Sequence, residues 1–331
     1  MSSLQPLSIA LYGTNGHQLL NLLSGEPDPL LRVVAVAGGR FADAAPEVAR
    51  YPSLDALLED PAVEMVSLCS PLRTQQAADA IRALEAGRHV LAEKPAALSE
   101  AELDAILSAA KANGRLFREM GGTVFAAPFW TLREIVASGQ LGEIVQVLVQ
   151  KSYPYYEGRA QDEAVDGGQL LQSGVHATRM VEHTTGKRII SLSARETSLG
   201  NPVKGNLCMA VSFQGELENG ALASGVLNYL NPRGFGNWGN EMLRLFGTHG
   251  MAEITDGGTR TRWVVGEEDR GELPVGSKLP EHYVNAFARE IRTGEPMPLS
   301  LEEELHPLRA LLRCRRCPRI APASAEGGVS R

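Results

Sequence analysis

No window of the 331-residue sequence approaches the roughly 20 apolar residues that a bilayer-spanning helix needs, so no membrane partner is expected. Met1 to Pro6 lacks the positive stretch of a secretory signal, and the apolar run Leu7 to Tyr12 has only strand length before it stops at Gly13. A cytoplasmic protein is therefore expected. Positive charge is short as well: 32 Lys and Arg stand against 39 Asp and Glu. With a net charge of -7 and no basic stripe, nucleic acid is not an expected partner. Of the four cysteines, Cys69 and Cys208 sit singly in apolar runs, as small buried hydrophobes do in a reducing compartment. Cys314 and Cys317 form a C-x-x-C, but the second pair that zinc would want is missing, and no metal is expected.

What is present suffices for about two domains with sizeable cores. In the first third, strand-length apolar runs (Ser8 to Tyr12, Val33 to Ala37, Met65 to Cys69, His89 to Ala92) alternate with amphipathic stretches (Gly16 to Leu23, Thr74 to Ala86, Glu100 to Ala112). That alternation predicts a doubly wound parallel sheet with crossover helices. Gly25, Gly87 and Gly114 fall just past the helix ends, and Ser99 with Glu102 suggests a capping box. From about Pro128 the pattern changes. Helices are predicted over Pro128 to Ser138 and Gln169 to Thr185, with a strand between them at Ile144 to Lys151. Runs at Ile189 to Thr197, Leu207 to Phe213, Ala221 to Tyr229, Glu241 to Phe246 and Arg262 to Val265 then follow without helices, which predicts a large, mostly antiparallel sheet in an α+β domain. Two late helices, Glu281 to Thr293 and Leu301 to Arg313, complete it. The expected division is 1–120, 121–313 and a disordered tail, 314–331, rich in Arg, Pro, Ala and Gly.

Gly13-Thr14-Asn15-Gly16-His17-Gln18 occupies the place of a Rossmann G-x-G-x-x-G, where a tight turn and free N–H groups hold a pyrophosphate. Only the first glycine is in register; Asn15 stands for the second and tolerates positive φ, and Gln18 stands for the third. The second strand ends at Gly38-Gly39-Arg40 rather than at the acid that binds a ribose 2′-hydroxyl. A small residue followed by Arg leaves room and charge for a 2′-phosphate, which favours NADP over NAD. A solvated loop arginine is the plainer alternative.

The segment Ala83-Leu84-Glu85-Ala86-Gly87-Arg88-His89-Val90-Leu91-Ala92-Glu93-Lys94-Pro95 resembles the signature of the glucose-fructose oxidoreductase and inositol dehydrogenase family, Gfo/Idh/MocA. Ser138-Gly139-Gln140-Leu141-Gly142-Glu143-Ile144 and Phe246-Gly247-Thr248-His249-Gly250 resemble two further family anchors, so the resemblance runs from about residue 7 to 313. It implies a Rossmann domain followed by an α/β domain whose open sheet carries substrate on one side and a subunit partner on the other, as a homodimer or homotetramer. It implies that Lys94 lies between nicotinamide and substrate as a catalytic group, and that Ser70, Pro71, Gln75 and Glu93 join the loop residues at the cofactor. The family's D-x-G-x-H corresponds here to Gln172-Ser173-Gly174-Val175-His176. His176 is kept and is expected to move the proton while Lys94 polarises the oxygen; the acid is replaced. Four residues apart on a helix, Gln172 and His176 share a face, so Gln172 is expected to orient His176 without supplying charge.

Arg179 stands where the family has an acid and is expected to grip substrate, as is Tyr153. Leu72, Gly122 and Thr123 also depart from the family pattern, and all surround the nicotinamide half of the cleft. Tyr153, Tyr155, Tyr156 and the stretch from Asn228 to Trp238 suit a sugar ring, or equally an edge cluster or subunit contact. The expected function is an NAD(P)-dependent oxidoreductase acting on the carbinol or carbonyl of a sugar, inositol or related polyol. The alternatives are a lyase or glycosidase that uses transient oxidation, and a cofactor-binding protein without catalysis.

Overall fold

The computed structural model describes residues 4–23, 28–274 and 280–316, and these form two sheets. The first holds β1 (Leu7–Tyr12), β2 (Leu31–Ala37), β3 (Ala49–Tyr51), β4 (Met65–Leu68), β5 (His89–Ala92) and β6 (Phe117–Glu119). Their order is β3-β2-β1-β4-β5-β6, with every neighbouring pair parallel. Helices α1 (Leu54–Leu58), α2 (Arg73–Glu85) and α3 (Glu100–Ala112) lie between strands. Leu7, Ile9, Ala10 and Leu11 are apolar in succession because both faces of a central parallel strand are covered. Strand order reverses between β1 and β4, and the crevice at their carboxyl ends is where a doubly wound sheet binds its ligand.

The helix expected over Gly16 to Leu23 does not form. One 3-10 turn, Leu20–Leu22, takes its place. The physical reason is Gln18, whose amide donates to the carbonyls of Tyr12, Gly13 and Ser67, while its oxygen accepts from the Ser67 hydroxyl and the Leu19 N–H. A side chain that serves its own neighbouring backbone in this way competes with the helical ladder. Gly25, read as the end of that helix, lies outside the described residues.

The second half contributes α4 (Phe129–Ala137), β7 (Ile144–Ser152), α5 (Glu163–Asp166), α6 (Gly168–Thr185), β8 (Ile189–Thr197), β9 (Ala210–Leu217) and β10 (Leu222–Asn228). After these come β11 (Asn240–Gly247), β12 (Gly250–Thr255), β13 (Arg260–Val265), β14 (Glu268–Asp269), α7 (Tyr283–Thr293), α8 (Leu301–Leu312) and β15 (Arg315–Arg316). Among the described residues the strands form one sheet in the order β14-β13-β12-β11-β7-β10-β9-β8-β15. It is antiparallel except where β7 meets β10 and β8 meets β15. Alternating burial along β9 shows that only one face is covered, and α6 packs on that face between α4 and α8. Arg315 and Arg316, expected in the disordered tail, pair with Ser193 and Ala194 instead. Residues 317–331, with Cys317, lie outside the described residues. No helix among the described residues is long and apolar enough to cross a membrane.

Candidate active site

The loop after β1 keeps its left-handed positions on glycine. Gly13 has φ +71° and Gly16 φ +134°, and Asn15 is not in the left-handed region. A Cβ at Gly13 would lie 2.0 Å from the Cys69 carbonyl oxygen, so no other residue fits the close approach of the β1 and β4 loops. Asn15 uses its side chain instead, donating to the carbonyls of Pro71 at 3.1 Å and Val165 at 2.5 Å. That bond ties the loop to α5 of the second half. Thr14, Gly38, Gly39 and Arg40 are exposed at the carboxyl ends of β1 and β2, and Arg40 has no ion-pair partner among the described residues. An open backbone cradle beside a free guanidinium fits a dinucleotide. Two expected contacts are of another kind. Ser70 is buried with its hydroxyl on Asp79, at 2.6 Å, and Gln75 points to solvent while its neighbour Gln76 bonds the carbonyls of Glu93 and Pro95. In a helix, adjacent side chains diverge, and at this end of α2 the inward position is 76.

At the end of β5, Glu93 and Lys94 are both buried. Glu93 accepts from the His17 N–H at 2.9 Å and from His17 Nδ1 at 3.1 Å, and Lys94 Nζ lies 3.7 Å away. Burial alone would raise this carboxyl, but the bond from His17 and the charges of Lys94, His17 and Arg73 bring it to about 2. His17 is thereby held at the cleft mouth. Burial lowers the Lys94 ammonium to about 8 against the pull of Glu93. Lys94 Nζ donates to the Gln172 carbonyl at 3.0 Å, which ties the carboxyl end of β5 to α6.

Helix α6 starts at left-handed Gly167 and Gly168, where the Asp166 carboxylate accepts the Gly168 N–H at 3.0 Å. It ends at left-handed Gly186. Sixteen of its 18 residues are buried, and the two that are not are Gln172 and His176. The shared face expected of that pair is thus the one opening in the helix. The expected orienting role is not what the side chains do, however. Gln172 Oε1 accepts from the Tyr229 hydroxyl at 3.3 Å and from Ser173 at 3.2 Å, whereas His176 Nδ1 lies 3.3 Å from the Thr123 hydroxyl. Thr123 therefore orients the imidazole, because Tyr229 has already engaged the amide. His176 Nε2 is buried without a partner, and burial with the charges of Lys94, Lys151 and Arg179 keeps the ring well below its usual pKa. The tautomer with hydrogen on Nδ1, donated to Thr123, leaves Nε2 with an open lone pair.

Arg179, expected to grip substrate, does not reach the cleft. It is 1% exposed, donates to the Met120 carbonyl at 2.9 Å and pairs with Glu119. Helical spacing puts Arg179 near the face of Gln172 and His176, but the buried Glu119 carboxylate and the Met120 carbonyl after β6 hold its guanidinium away from the opening. A Cβ at Gly121 would lie 1.8 Å from its Nη1, so that glycine makes space for the guanidinium.

A cleft of about 350 Å³ extends from Thr14, Asn15, Gly16 and His17 past Glu93 and Gln172 to Tyr153 and Trp238. Tyr153 thus sits where expected, with its ring 6.3 Å from that of Trp238, while Tyr156 lies 6.0 Å from Trp238. Lys94 and His176 are not among the residues that line the cleft, although Lys94 bonds the carbonyl of Gln172, which does. Four residues here escaped sequence reasoning: Arg73, Lys151, Arg159 and Asp166. Lys151 carried a usable signal, since it occupies a core-facing position in register with Leu227, after apolar Val147 and Val149. There it pairs with Glu241. Arg159 and Asp166 sit in a loop and a four-residue helix with no period to read, and Arg73 is the first residue of α2, one position before the start expected at Thr74.

The sheet order, the loop at its switch point and the buried lysine define a two-part dinucleotide-binding protein. Residues 13–120 match the family model described as an oxidoreductase family with an NAD-binding Rossmann fold, and residues 129–253 match the GFO/IDH/MocA C-terminal domain. The chain belongs to this GFO/IDH/MocA oxidoreductase family, whose members include dehydrogenases and reductases. It is 28% identical over 311 residues to an uncharacterised oxidoreductase of Rhizobium meliloti, covering 86% of this chain and 89% of that one. A trans-1,2-dihydrobenzene-1,2-diol dehydrogenase of Sus scrofa is 27% identical over 262 residues, 76% of this chain and 74% of that enzyme. The crystal structure of an aldose-aldose oxidoreductase from Caulobacter crescentus, complexed with glycerol, shares the fold with a TM-score of 0.76 at 22% identity, over 92% of this chain and 95% of that one.

Proposed function

We propose that this protein is an NAD(P)-dependent oxidoreductase that interconverts a carbinol and a carbonyl on a sugar, inositol or related polyol. The observation that carries the reading is Lys94, buried at the carboxyl end of β5 against the one open face of α6, with an ammonium lowered to about 8. A bound nicotinamide supplies the redox equivalent. Gly13, Thr14, Gly16 and Pro71 would hold the dinucleotide at the crevice, with Arg40 placed for a 2′-phosphate, which favours NADP. In the oxidative direction neutral Lys94 accepts the hydroxyl proton, and in the reductive direction its ammonium returns one to the carbonyl oxygen. His176, held neutral with its hydrogen on Nδ1, offers the Nε2 lone pair to a neighbouring hydroxyl of the substrate. Proton transfer is thus assigned to Lys94, because its pKa lies nearer neutrality than that of His176. The rings of Tyr153, Tyr156 and Trp238 would stack on a sugar or cyclitol face, and the name of the diol dehydrogenase relative agrees with a vicinal-diol substrate.

The test is Lys94→Met, assayed by nicotinamide absorbance on a panel of polyols and their ketones. Turnover should fall by about a thousandfold, within the range of general acid–base groups. Thermal stabilisation by NADPH or NADH should persist, since a ligand of the native state still raises its apparent stability. Wild-type-like turnover by the variant would overturn the reading, as would the absence of stabilisation of the wild type by any nicotinamide dinucleotide.

A further inference from the structure

The cleft is lined by two guanidiniums, those of Arg73 and Arg159, which are 3% and 6% exposed. Neither has a carboxylate within the 4.0 Å of an ion pair among the described residues; the Nε of each is buried without a partner, as is that of Arg179, so the difference lies in the missing carboxylate. Elsewhere in this protein the buried arginines Arg118 and Arg179 are paired with glutamates. A buried cation is normally neutralised by a partner, so one left unpaired in a cleft points to a counter-charge that arrives with a ligand. The two differ in what they face. Arg73 donates to the Asn15 carbonyl of the glycine loop at 2.8 Å and belongs to the dinucleotide side. Arg159 belongs to the second sheet's side, with its guanidinium carbon 3.5 Å from the centre of the Tyr229 ring and 4.6 Å from that of Tyr156. Stacking of this kind fixes the plane of the fork while leaving its edge for hydrogen bonding.

Tyr229 also links Arg159 to the reacting centre. Its hydroxyl donates to Gln172, whose own carbonyl accepts from Lys94. We propose that Arg159 binds an anionic group of the substrate, a carboxylate or phosphate monoester, a few bonds from the carbon that reacts at Lys94. The substrate is then an acidic sugar or polyol rather than a neutral one. Asp166 shares the cleft; burial pushes its carboxyl up, while the bond from Gly168 and the charges of Arg159, Lys94 and Arg73 draw it down. The inference rests on the oxidoreductase reading only for the position of the reacting carbon.

The test is titration calorimetry on the full chain with saturating NADPH or NADH at fixed ionic strength. The probes are D-gluconate against D-glucitol, and D-glucuronate and D-glucose 6-phosphate against D-glucose. At least one anion should bind about tenfold or more tightly than its neutral counterpart, as expected for a charge-assisted, bidentate contact. The phosphate and carboxylate arms tell the two anions apart. Arg159→Met should erase the preference, and Arg159→Lys, which keeps the charge and tests against misfolding, should retain part of it. A smaller advantage, or one that survives Arg159→Met, overturns the proposal. Because binding is read rather than turnover, failure of the oxidoreductase reading leaves this result interpretable, and the free protein serves if no dinucleotide binds.

Discussion

Helix α6 carries buried charge on two sides and treats it in opposite ways. Toward β6, Arg179 meets Glu119 in a network that continues through Arg118, Glu290, Glu304 and the Tyr283 hydroxyl. Every charge there has a partner. Toward the cleft, Lys94 lies 3.7 Å from a Glu93 that also serves His17, His176 Nε2 has no partner, and Arg159 stacks on aromatic rings with no carboxylate in ion-pair range among the described residues. The first arrangement fastens the two sheets' layers together. The second pairs Lys94 only at long range and leaves His176 Nε2 without a partner and the Arg159 guanidinium without an ion pair among the described residues, which leaves groups to meet a ligand. The difference teaches that burial alone does not mark a functional charge; burial without a partner does.

The sharpest way to break this comparison is to remove one arginine from each side. Arg179→Met leaves Glu119 buried and uncompensated, and should cost roughly 3–5 kcal/mol in denaturant unfolding. Arg159→Met removes a cation that has no ion-pair partner and should cost far less. Equal losses would dissolve the distinction. Next in size is pH. With Lys94 at about 8, the protonated form needed for reduction disappears as pH rises, so reductive kcat/KM should fall about tenfold per pH unit above about 8. Oxidation needs the neutral amine and should instead rise through the same pH and then level. Profiles of the same sign in both directions would remove Lys94 from proton transfer. The smallest effect is expected from Thr123→Val, which deletes the partner of His176 Nδ1. Loss of one neutral hydrogen bond, worth about 1 kcal/mol, should lower kcat about fivefold with little change in dinucleotide affinity.

Much of this was legible in the residues. The parallel and antiparallel sheets followed from the two apolar patterns, and the face shared by Gln172 and His176 followed from helical spacing, although their side chains do not bond each other. Short elements were not legible: β3, β6 and α5 span three or four residues each, too few to show a period. The capping box expected at Ser99 formed only in part, since Glu102 bonds the Leu98 N–H, whereas Ser300 and Glu303 complete one. The effect of Gln18 on the helix is not legible locally, because it depends partly on Ser67, 49 residues away.

The sequence by itself determined the fold class, the crevice at the switch point and the lysine that ends β5, because periodicity and glycine placement are local properties that propagate into sheets and turns. Only the tertiary structure decided which charges are satisfied. Arg179 and Arg159 are indistinguishable as letters, and what separates them is that β6 delivers a carboxylate to one while the aromatic cluster delivers none to the other. Partnership of this kind is a long-range property, set by which segments the packing brings together.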